Sequence, residues 1–170
     1  QRLCDKLHQW GYNGVQSLVP CALAQGIIGC AYNCPDMIGG GDYIDFSHER
    51  MKNLDRELFI RYAQNAALMP MMQFSAAPWR VLNKADNKLC LEMAKLHEKF
   101  AKVILKLADE SKETGEPIIR YMEYVFPHSG MASCIDQFML GNVDGAIHDG
   151  GKDVIVDAPI NVLPYFIKIG

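Results

Sequence analysis

The chain has 170 residues, of which 49% are hydrophobic and 22% charged, and its formal net charge is −3. This length and composition are typical of one ordinary globular domain. The chain is too short for a complete eight-stranded barrel, which needs roughly 200 residues or more. The acidic balance, without any run of lysine or arginine, argues against nucleic acid as a partner.

The sequence predicts neither a membrane span nor a metal or cofactor site. The longest apolar stretch, residues 18–32, contains Pro20 and two glycines and is shorter than the ~20 residues that a span requires. The cysteines are scattered rather than clustered, so we expect mainly buried thiols, with a disulfide as the alternative. The six are Cys4, Cys21, Cys30, Cys34, Cys90 and Cys134.

The first predicted unit is a helix followed by a strand. Apolar residues share one face over residues 15–24, with Pro20 near the first turn, and Gly26 is expected to end the helix. The next residues, 27–32, form a short and nearly continuous apolar run, which is typical of a parallel strand buried on both faces. The run stops before Asp36 and a glycine-rich loop.

The second unit repeats this order. A helix is predicted from about Leu54 to Leu68, because apolar residues recur there every four positions and Asn53 can act as the cap. A short strand at residues 71–74 follows, and the loop after it carries Ser75 and Trp79.

A third helix and a β region complete the predicted elements. The helix runs from about Asp86 to Glu110, with charged residues opposite its apolar stripe, and Gly115 and Pro117 are expected to end it. Helices and strands thus alternate as in parallel α/β proteins. From about Glu116 the sequence becomes strand-like, with candidate strands at residues 118–126, 135–140, 154–156 and 162–167.

Polar and aromatic side chains follow both predicted strands of the first half. Asp36 ends the first strand, and Gln73, Ser75 and Trp79 end or follow the second. Because ligand-binding residues gather at the carboxyl ends of parallel strands, we expect a shared pocket, in which a carboxylate and an amide bind hydroxyl groups and an indole stacks on a sugar ring. The alternatives are an Asp36 that only forms a turn and a Trp79 that anchors the core.

Five segments, in order along the chain, resemble motifs of glycoside hydrolase family 31. They are residues 35–40, similar to the D-I-G-G motif after barrel strand seven; residues 57–64, similar to the E-L-x-x-R-W-x-Q helix; residues 69–79, similar to strand eight and its loop; and residues 116–120 and 136–141, similar to the start of the β-sandwich behind the barrel. The resemblance implies an α/β fold. Residues 1–115 would be the C-terminal portion of a TIM (β/α)8 barrel, with strands seven and eight, and residues 116–170 a truncated β-sandwich region.

The same resemblance implies an activity. Members of the family hydrolyse α-linked O-glycosidic bonds with retention, using one Asp as nucleophile and a second as acid/base. Residues 5–10 match the D-x-x-S-x-W motif around the second Asp, except that His8 replaces Ser, so Asp5 is the implied acid/base. Without the resemblance, Asp5 would be interpreted as a solvated surface carboxylate. The implied substrate is an α-glucoside or α-galactoside, the implied compartment is secretory or extracellular, and the implied substrate-binding residues are Asp36, Gln73, Ser75 and Trp79.

Departures from the family pattern predict an incomplete protein. The W-x-D-M-N-E stretch that holds the nucleophile is absent, and Gln73 and Ser75 replace the family's Arg and His on strand eight. After Gly141 the sequence passes quickly to residues 157–164, which resemble a much later part of the sandwich. We therefore expect a partial or exon-skipped α-glycosidase chain that is inactive by itself. The alternatives are a non-catalytic carbohydrate-binding or regulatory protein on the same fold, and an α/β scaffold that binds a partner.

Overall fold

The computed structural model describes residues 5–40 and 54–141, and within these ranges the protein is a mixed structure, mainly helical with little strand. No helix of these two ranges is both long enough and apolar enough to cross a bilayer. The elements, in chain order, are a 3-10 turn (Val15–Ser17), α1 (Leu18–Ile27), α2 (Arg56–Ala66), α3 (Pro78–Val81), α4 (Lys84–Thr114), β1 (Ile119–Arg120), α5 (Met122–Val125) and β2 (Met139–Leu140).

The helix predicted near the start of the chain is confirmed as α1, but it ends later than expected. Pro20 lies in its first turn, where a missing N–H costs no helical hydrogen bond. Gly26 stays helical, and its missing side chain makes room for Pro117, since a Cβ at Gly26 would lie 2.9 Å from the Pro117 Cβ. The chain instead turns at Gly29, whose φ of 90° is in the left-handed region. Gly26 therefore serves a close contact and not the end of the helix.

The strand predicted at residues 27–32 is wrong. Ile27 closes α1 and Ile28 lies in the turn, and their side chains are 53% and 76% exposed. A short apolar run cannot be told from a helix end by its pattern alone. Extended pairing occurs further along the chain, where Ile38 and Phe74 form a parallel bridge. The second predicted strand, residues 71–74, is thus present only as this bridge.

The predicted second helix is confirmed as α2, and its cap is Asp55. The Asp55 carboxylate accepts a hydrogen bond from the Leu58 N–H at 3.0 Å, which satisfies one of the unpaired donors of the first turn. The expected cap, Asn53, lies outside the described residues. The apolar face of α2 is buried against Leu18 and Ile38 and forms most of the main core.

The third helix is confirmed as α4, which begins earlier and ends later than predicted. The Asn83 side chain accepts a hydrogen bond from the Asp86 N–H at 2.9 Å and caps the helix, and Gly115, with a φ of 80°, ends it as predicted. Before α4, Pro78 opens the short helix α3 where the sequence predicts a loop, because proline suits the first helical position. α4 packs against α2 and covers the main core.

The predicted β region is reduced to one two-stranded antiparallel pair among the described residues. β1 and β2 pair with Ile119 opposite Leu140. The strand predicted over residues 118–126 is interrupted by α5. Within α5, the Glu123 carboxylate accepts hydrogen bonds from residues 128–131, and these bonds hold the following loop close to the helix. The predicted strands at residues 154–156 and 162–167 lie outside the described residues.

Two smaller apolar clusters connect the β pair to the helices. One joins α1 to Met69 and Ile119, and the other joins α4 to Ala31 and Ile118. The β pair therefore rests on α1 and α4. The division into domains at residues 1–115 and 116–170 stays a prediction.

No disulfide joins two cysteines within residues 5–40 and 54–141. Burial, with the Asp86 carboxylate nearby, raises the pKa of Cys90 to about 12, so this thiol is unreactive at neutral pH. Cys4 lies outside the described residues. Three of the thiols are buried, as predicted, and two are half-buried: Cys34, Cys90 and Cys134, and Cys21 and Cys30.

Candidate functional site

Asp36 lies at the centre of the candidate site and is only 2% exposed. Its Oδ2 accepts a hydrogen bond from the backbone N–H of Lys6 at 2.6 Å. The contact joins positions far apart in sequence, so Asp36 does more than form a local turn. Because Lys6 directly follows Asp5, this hydrogen bond also places the predicted acid/base segment next to the glycine-rich loop. Asp5 itself is exposed.

The glycines of this loop allow the close approach. Gly39 and Gly40 have φ values of 100° and 90°, in the left-handed region that favours glycine. A Cβ on Gly40 would lie 3.0 Å from both the Lys6 carbonyl oxygen and the His8 backbone nitrogen. The backbone of residues 6–8 therefore lies directly against the loop that follows Asp36.

The second predicted strand end lies beside the same loop. The Ile38 N–H donates to the Gln73 carbonyl oxygen at 2.7 Å, and the Ser75 N–H donates to the Ile38 carbonyl oxygen at 3.1 Å. The Ser75 hydroxyl also donates to that carbonyl at 2.7 Å. Gln73 and Ser75 are thus neighbours of the Asp36 loop in a parallel arrangement, and the Gln73 side chain is exposed.

Trp79 lies beyond this strand end, in α3. Its side chain is 73% exposed, so the alternative in which it anchors the core is wrong. An exposed indole offers a flat apolar face to a ligand.

Residues 6–10 are fastened to α2, which the sequence did not predict. The Tyr62 hydroxyl donates to the Leu7 carbonyl oxygen at 2.9 Å. Asp55 contacts two residues of the segment, since its Oδ2 accepts a hydrogen bond from the Trp10 Nε1–H at 2.8 Å and its carbonyl oxygen lies 3.1 Å from the His8 Nε2. The His8 ring packs near Tyr62, with ring centroids 6.0 Å apart.

The environment of Asp55 favours its ionised form. Burial acts to raise its pKa, but the hydrogen bonds from the Leu58 N–H and the Trp10 indole, together with the charge of His8, outweigh burial and lower the pKa below its ordinary value. A sequence signal for Asp55 exists, because an aspartate directly before an apolar-periodic stretch is a typical helix cap. Its link to Trp10 could not be predicted, since the two residues are far apart in sequence.

Lys6 is buried, with 9% of the residue exposed. Its Nζ donates a hydrogen bond to the Cys21 Sγ of α1 at 3.7 Å. The segment therefore contacts α1 through Lys6 and α2 through its later residues.

The predicted site residues carry carboxylate, amide and hydroxyl groups, all of which can form hydrogen bonds with a hydroxyl-bearing ligand. Among residues 5–40 and 54–141, no group of three or more His, Cys, Asp or Glu side chains is placed to hold a metal ion. The Asp36 carboxylate belongs to the loop and binds the residue after Asp5, and Gln73 and Ser75, beside the loop, carry an amide and a hydroxyl. Carboxylate and amide groups bind pairs of hydroxyls by accepting and donating hydrogen bonds.

Comparisons with known proteins give relatives but no matching family profile. The chain is 36% identical over 148 residues to the myogenesis-regulating glycosidase of Mus musculus, an alignment that covers 83% of this chain and 20% of that protein. It is 28% identical over 143 residues to the SITS-binding protein of Tetronarce californica, with the same coverage of 83% and 20%. It is 24% identical over 191 aligned residues to alpha-glucosidase 2 of Bacillus thermoamyloliquefaciens, covering 92% of this chain and 23% of that enzyme.

These similarities confirm the resemblance predicted from the motifs. Over most of its length the chain is similar to a part of glycosidases of the family 31 type, and it spans about a fifth of the length of the curated relatives it matches. The Met-Gln-Phe-Ser sequence at residues 72–75 also predicts the branch of the myogenesis-regulating glycosidase, and the relatives include that protein.

Proposed function

We propose that this partial relative of family 31 glycosidases is a fragment of a retaining α-glycosidase that acts on α-glucosides or α-galactosides, with Asp5 as its acid/base. The observation that carries the proposal is the hydrogen bond from the Lys6 N–H to the Asp36 carboxylate. It sets the residue after Asp5 against the loop that resembles the family's D-I-G-G motif. Two motifs that the resemblance assigns to one active site are thus neighbours.

The mechanism assigns one proton-transfer role to this chain. Asp5 would protonate the leaving glycosidic oxygen and then take a proton from the attacking water. Retention also needs a nucleophilic carboxylate about 5–5.5 Å away. Asp36 does not suit that role, because it is buried and accepts the Lys6 N–H. We therefore expect this chain alone to be inactive, since the family's nucleophile motif is absent from its sequence.

Substrate binding is assigned to four residues. Asp36 and Ser75 would define the wall of the sugar subsite, and Gln73, whose side chain is exposed, would donate and accept hydrogen bonds with sugar hydroxyls. Trp79 would stack on a sugar ring with its exposed indole face. Gln73 and Ser75, which replace the family's Arg and His, are uncharged, and this favours a neutral sugar beside them.

The fold proposal follows from the same family. Residues 1–115 would be the end of a TIM barrel, and the parallel bridge between Ile38 and Phe74 supports neighbouring strands seven and eight. Residues 116–170 would begin a β-sandwich, and the antiparallel pair of β1 and β2 supports this assignment.

Sugar binding by the chain itself tests the proposed site. We expect methyl α-galactoside or methyl α-glucoside, at millimolar concentration, to shift the side-chain amide resonances of Gln73 in the NMR spectrum. Gln73→Ala should weaken binding roughly tenfold, because one hydrogen bond contributes ~1–1.5 kcal/mol. Gln16→Ala, at an exposed position just before α1, is the matched control. Binding that is the same in both variants, or shifts confined to residues outside the loop, would contradict the site.

A non-catalytic carbohydrate-binding or regulatory protein is the second candidate. The absent nucleophile motif and the replacement of Ser by His8 favour it. Both candidates predict sugar binding, so hydrolysis separates them: release of nitrophenol from a 4-nitrophenyl α-glycoside by this chain would rule out the non-catalytic reading. Activity that appears only when a nucleophile-bearing chain is added would support the fragment.

A further inference from the structure

We propose that Asp55 is a positioning residue for Asp5, because it anchors residues 6–10 to the start of α2. The proposal rests on the proposed function only in that Asp5 is the group to be positioned. The anchor itself is a set of contacts that can be tested without any substrate.

Each polar group of Asp55 that accepts hydrogen bonds is used at this junction. Oδ1 accepts from the Leu58 N–H at 3.0 Å and caps α2, whereas Oδ2 accepts from the Trp10 Nε1–H at 2.8 Å. The carbonyl oxygen lies 3.1 Å from the His8 Nε2. One residue therefore starts the helix and contacts two residues of the predicted acid/base motif.

The anchor stands on a rigid platform. The Phe59 side chain in the first turns of α2 is 0% exposed, and Tyr62, one turn later, is 1% exposed. Tyr62 adds a further link, from its hydroxyl to the Leu7 carbonyl oxygen at 2.9 Å. Densely packed side chains of this kind do not shift without a cost in packing. Movement of residues 7–10 relative to the core is accordingly restricted.

The segment after Asp5 is held at two points by carboxylates from different parts of the chain. Asp36 accepts the Lys6 N–H at one end, and Asp55 accepts the Trp10 indole at the other. Asp5 directly precedes the first of these points. Release of the second point leaves the segment with fewer constraints, so the direction of the Asp5 carboxyl group becomes less defined.

Charge strengthens the anchor at neutral pH. A carboxylate accepts a stronger hydrogen bond than a neutral oxygen does. The groups that face the Asp55 carboxylate are the backbone N–H groups of Glu57 and Leu58, the Trp10 indole and the His8 ring, and all of them favour its ionised form. The anchor therefore persists across the neutral range.

Asp55→Asn separates the anchor from the cap. Asparagine caps a helix as well as aspartate does, through its side-chain oxygen. Its NH₂ group would then face the Trp10 N–H, and two donors cannot form a hydrogen bond with each other. In a Trp79→Phe background Trp10 is the single tryptophan, because the chain contains two. We expect Asp55→Asn to move Trp10 emission to longer wavelength, to increase its quenching by acrylamide, and to speed amide exchange at Lys6 roughly tenfold, the change that one hydrogen bond of ordinary strength produces. Amide exchange at Leu58 should stay unchanged.

Two further variants keep the proposal falsifiable. Trp10→Phe removes the indole donor while leaving the cap intact, so it should also speed exchange at Lys6 and spare Leu58. Asp109→Asn, on the exposed side of α4, is the matched control and should change neither readout. If Asp55→Asn and Trp10→Phe leave exchange at Lys6 at the parent rate, or speed Leu58 equally, the anchor is overturned. A failure of sugar binding at Gln73 would overturn the proposed function and leave these readouts as they are.

Discussion

Buried carboxylates need hydrogen-bond donors, and Asp36 has one thirty residues away along the chain, in the Lys6 N–H. The approach depends on Gly40, where a side chain would meet the backbone of both Lys6 and His8. The absence of a side chain at Gly40 therefore allows residues 6–8 to lie against the loop that follows Asp36. The same arrangement makes Gly40 the most direct residue at which to disturb the site without removing a functional side chain.

Gly40→Ala should destabilise the protein more than Gly29→Ala. Both glycines have a φ of 90°, so alanine pays a conformational cost of roughly 1–2 kcal/mol at either position. At Gly29 the space is open, whereas at Gly40 the new Cβ lies 3.0 Å from two backbone atoms, which adds a steric cost. Urea unfolding of the two variants measures the difference. Equal losses of unfolding free energy would show that the loop can shift to accept a side chain at position 40. The close approach to residues 6–8 would then not contribute to stability.

At the residue scale, the sequence predicts that certain side chains lie close together but not which contacts hold them. The proximity of Asp36 to Gln73 and Ser75 is as expected, but it comes from the parallel bridge at Ile38 and not from a strand at residues 27–32. The contacts of Asp55 with Trp10 and of Asp36 with Lys6 connect distant positions. Local patterns carry no information about such pairs, because they depend on how complete elements pack.

Elements differ in how far their own sequence determines them. Apolar periodicity predicts both α2 and α4, and Gly115 predicts the end of α4, because each helix is a long local structure. Strands depend instead on a partner elsewhere in the chain. The apolar residues 27–32 matched a buried strand in composition, but the end of α1 uses the same residues.

The loop after α5 shows a single side chain overriding strand propensity. Residues 118–126 are rich in β-branched and aromatic residues. Glu123 nevertheless accepts hydrogen bonds from the His128 N–H, the Met131 N–H and the Ser129 hydroxyl, at 2.8, 2.7 and 3.1 Å. His128 adopts a left-handed φ of 63° within this loop. The loop is therefore organised around one carboxylate.

Stability should depend on the ionisation of Glu123 in the acidic range. Desolvation acts to raise its pKa, but the hydrogen bonds from Met131, Ser129 and His128 outweigh it and lower the pKa below the ordinary value of 4.5. A lowered pKa in the folded state stabilises the protein above the unfolded pKa, and this contribution is lost as pH falls through the folded value. Urea midpoints measured from pH 6 downwards should therefore fall less steeply in Glu123→Gln than in the parent.

A matched control for that titration is Glu113→Gln. Glu113 is exposed near the end of α4 and contacts only the side chain of Lys112 among the ion pairs described. Its replacement should preserve the parental slope. If both variants fall as steeply as the parent, the hydrogen bonds to Glu123 do not couple its ionisation to folding.

At the scale of the whole molecule, the β pair is joined to the helical part by Arg120. Its side chain is 4% exposed and forms ion pairs with Glu110 of α4 at 3.0 Å and with Glu116 at 3.6 Å. Its Nε also donates to the Pro117 carbonyl oxygen at 2.8 Å. A buried guanidinium with these partners ties the end of α4 to β1, and this connection crosses the predicted domain boundary.

Arg120→Ala should therefore reduce global stability far more than a surface change does. We expect a loss of roughly 2–3 kcal/mol, below the ~3–5 typical of fully buried pairs, because the glutamate partners are 40% and 36% exposed. Arg56→Ala, which breaks an ion pair with Asp86 at a site 57% exposed, should cost less than ~1 kcal/mol. Free energies of unfolding in urea compare the two. If the two variants lose similarly small free energies of unfolding, the β pair contributes little to the cooperative unfolding of the protein.

The overall architecture was the hardest property to predict from this sequence. Helices were assigned well from local pattern, whereas the strands implied by the family resemblance are present only as one parallel bridge and one short antiparallel pair in the described ranges. A strand needs a partner strand, often far along the chain, to pair its backbone N–H and C=O groups. The relatives are about four times as long as this chain, whose aligned part covers 20% to 23% of their length.

The packing of α1 against Pro117 and Ile119 also has a consequence for the order of folding during synthesis. Val19 and Leu23 on α1 are covered by Ile119, which the ribosome adds only after nearly a hundred further residues. At ~5–20 residues per second, Val19 and Leu23 would wait for several seconds without the cover of Ile119. During this interval α1 offers apolar side chains that a chaperone could bind.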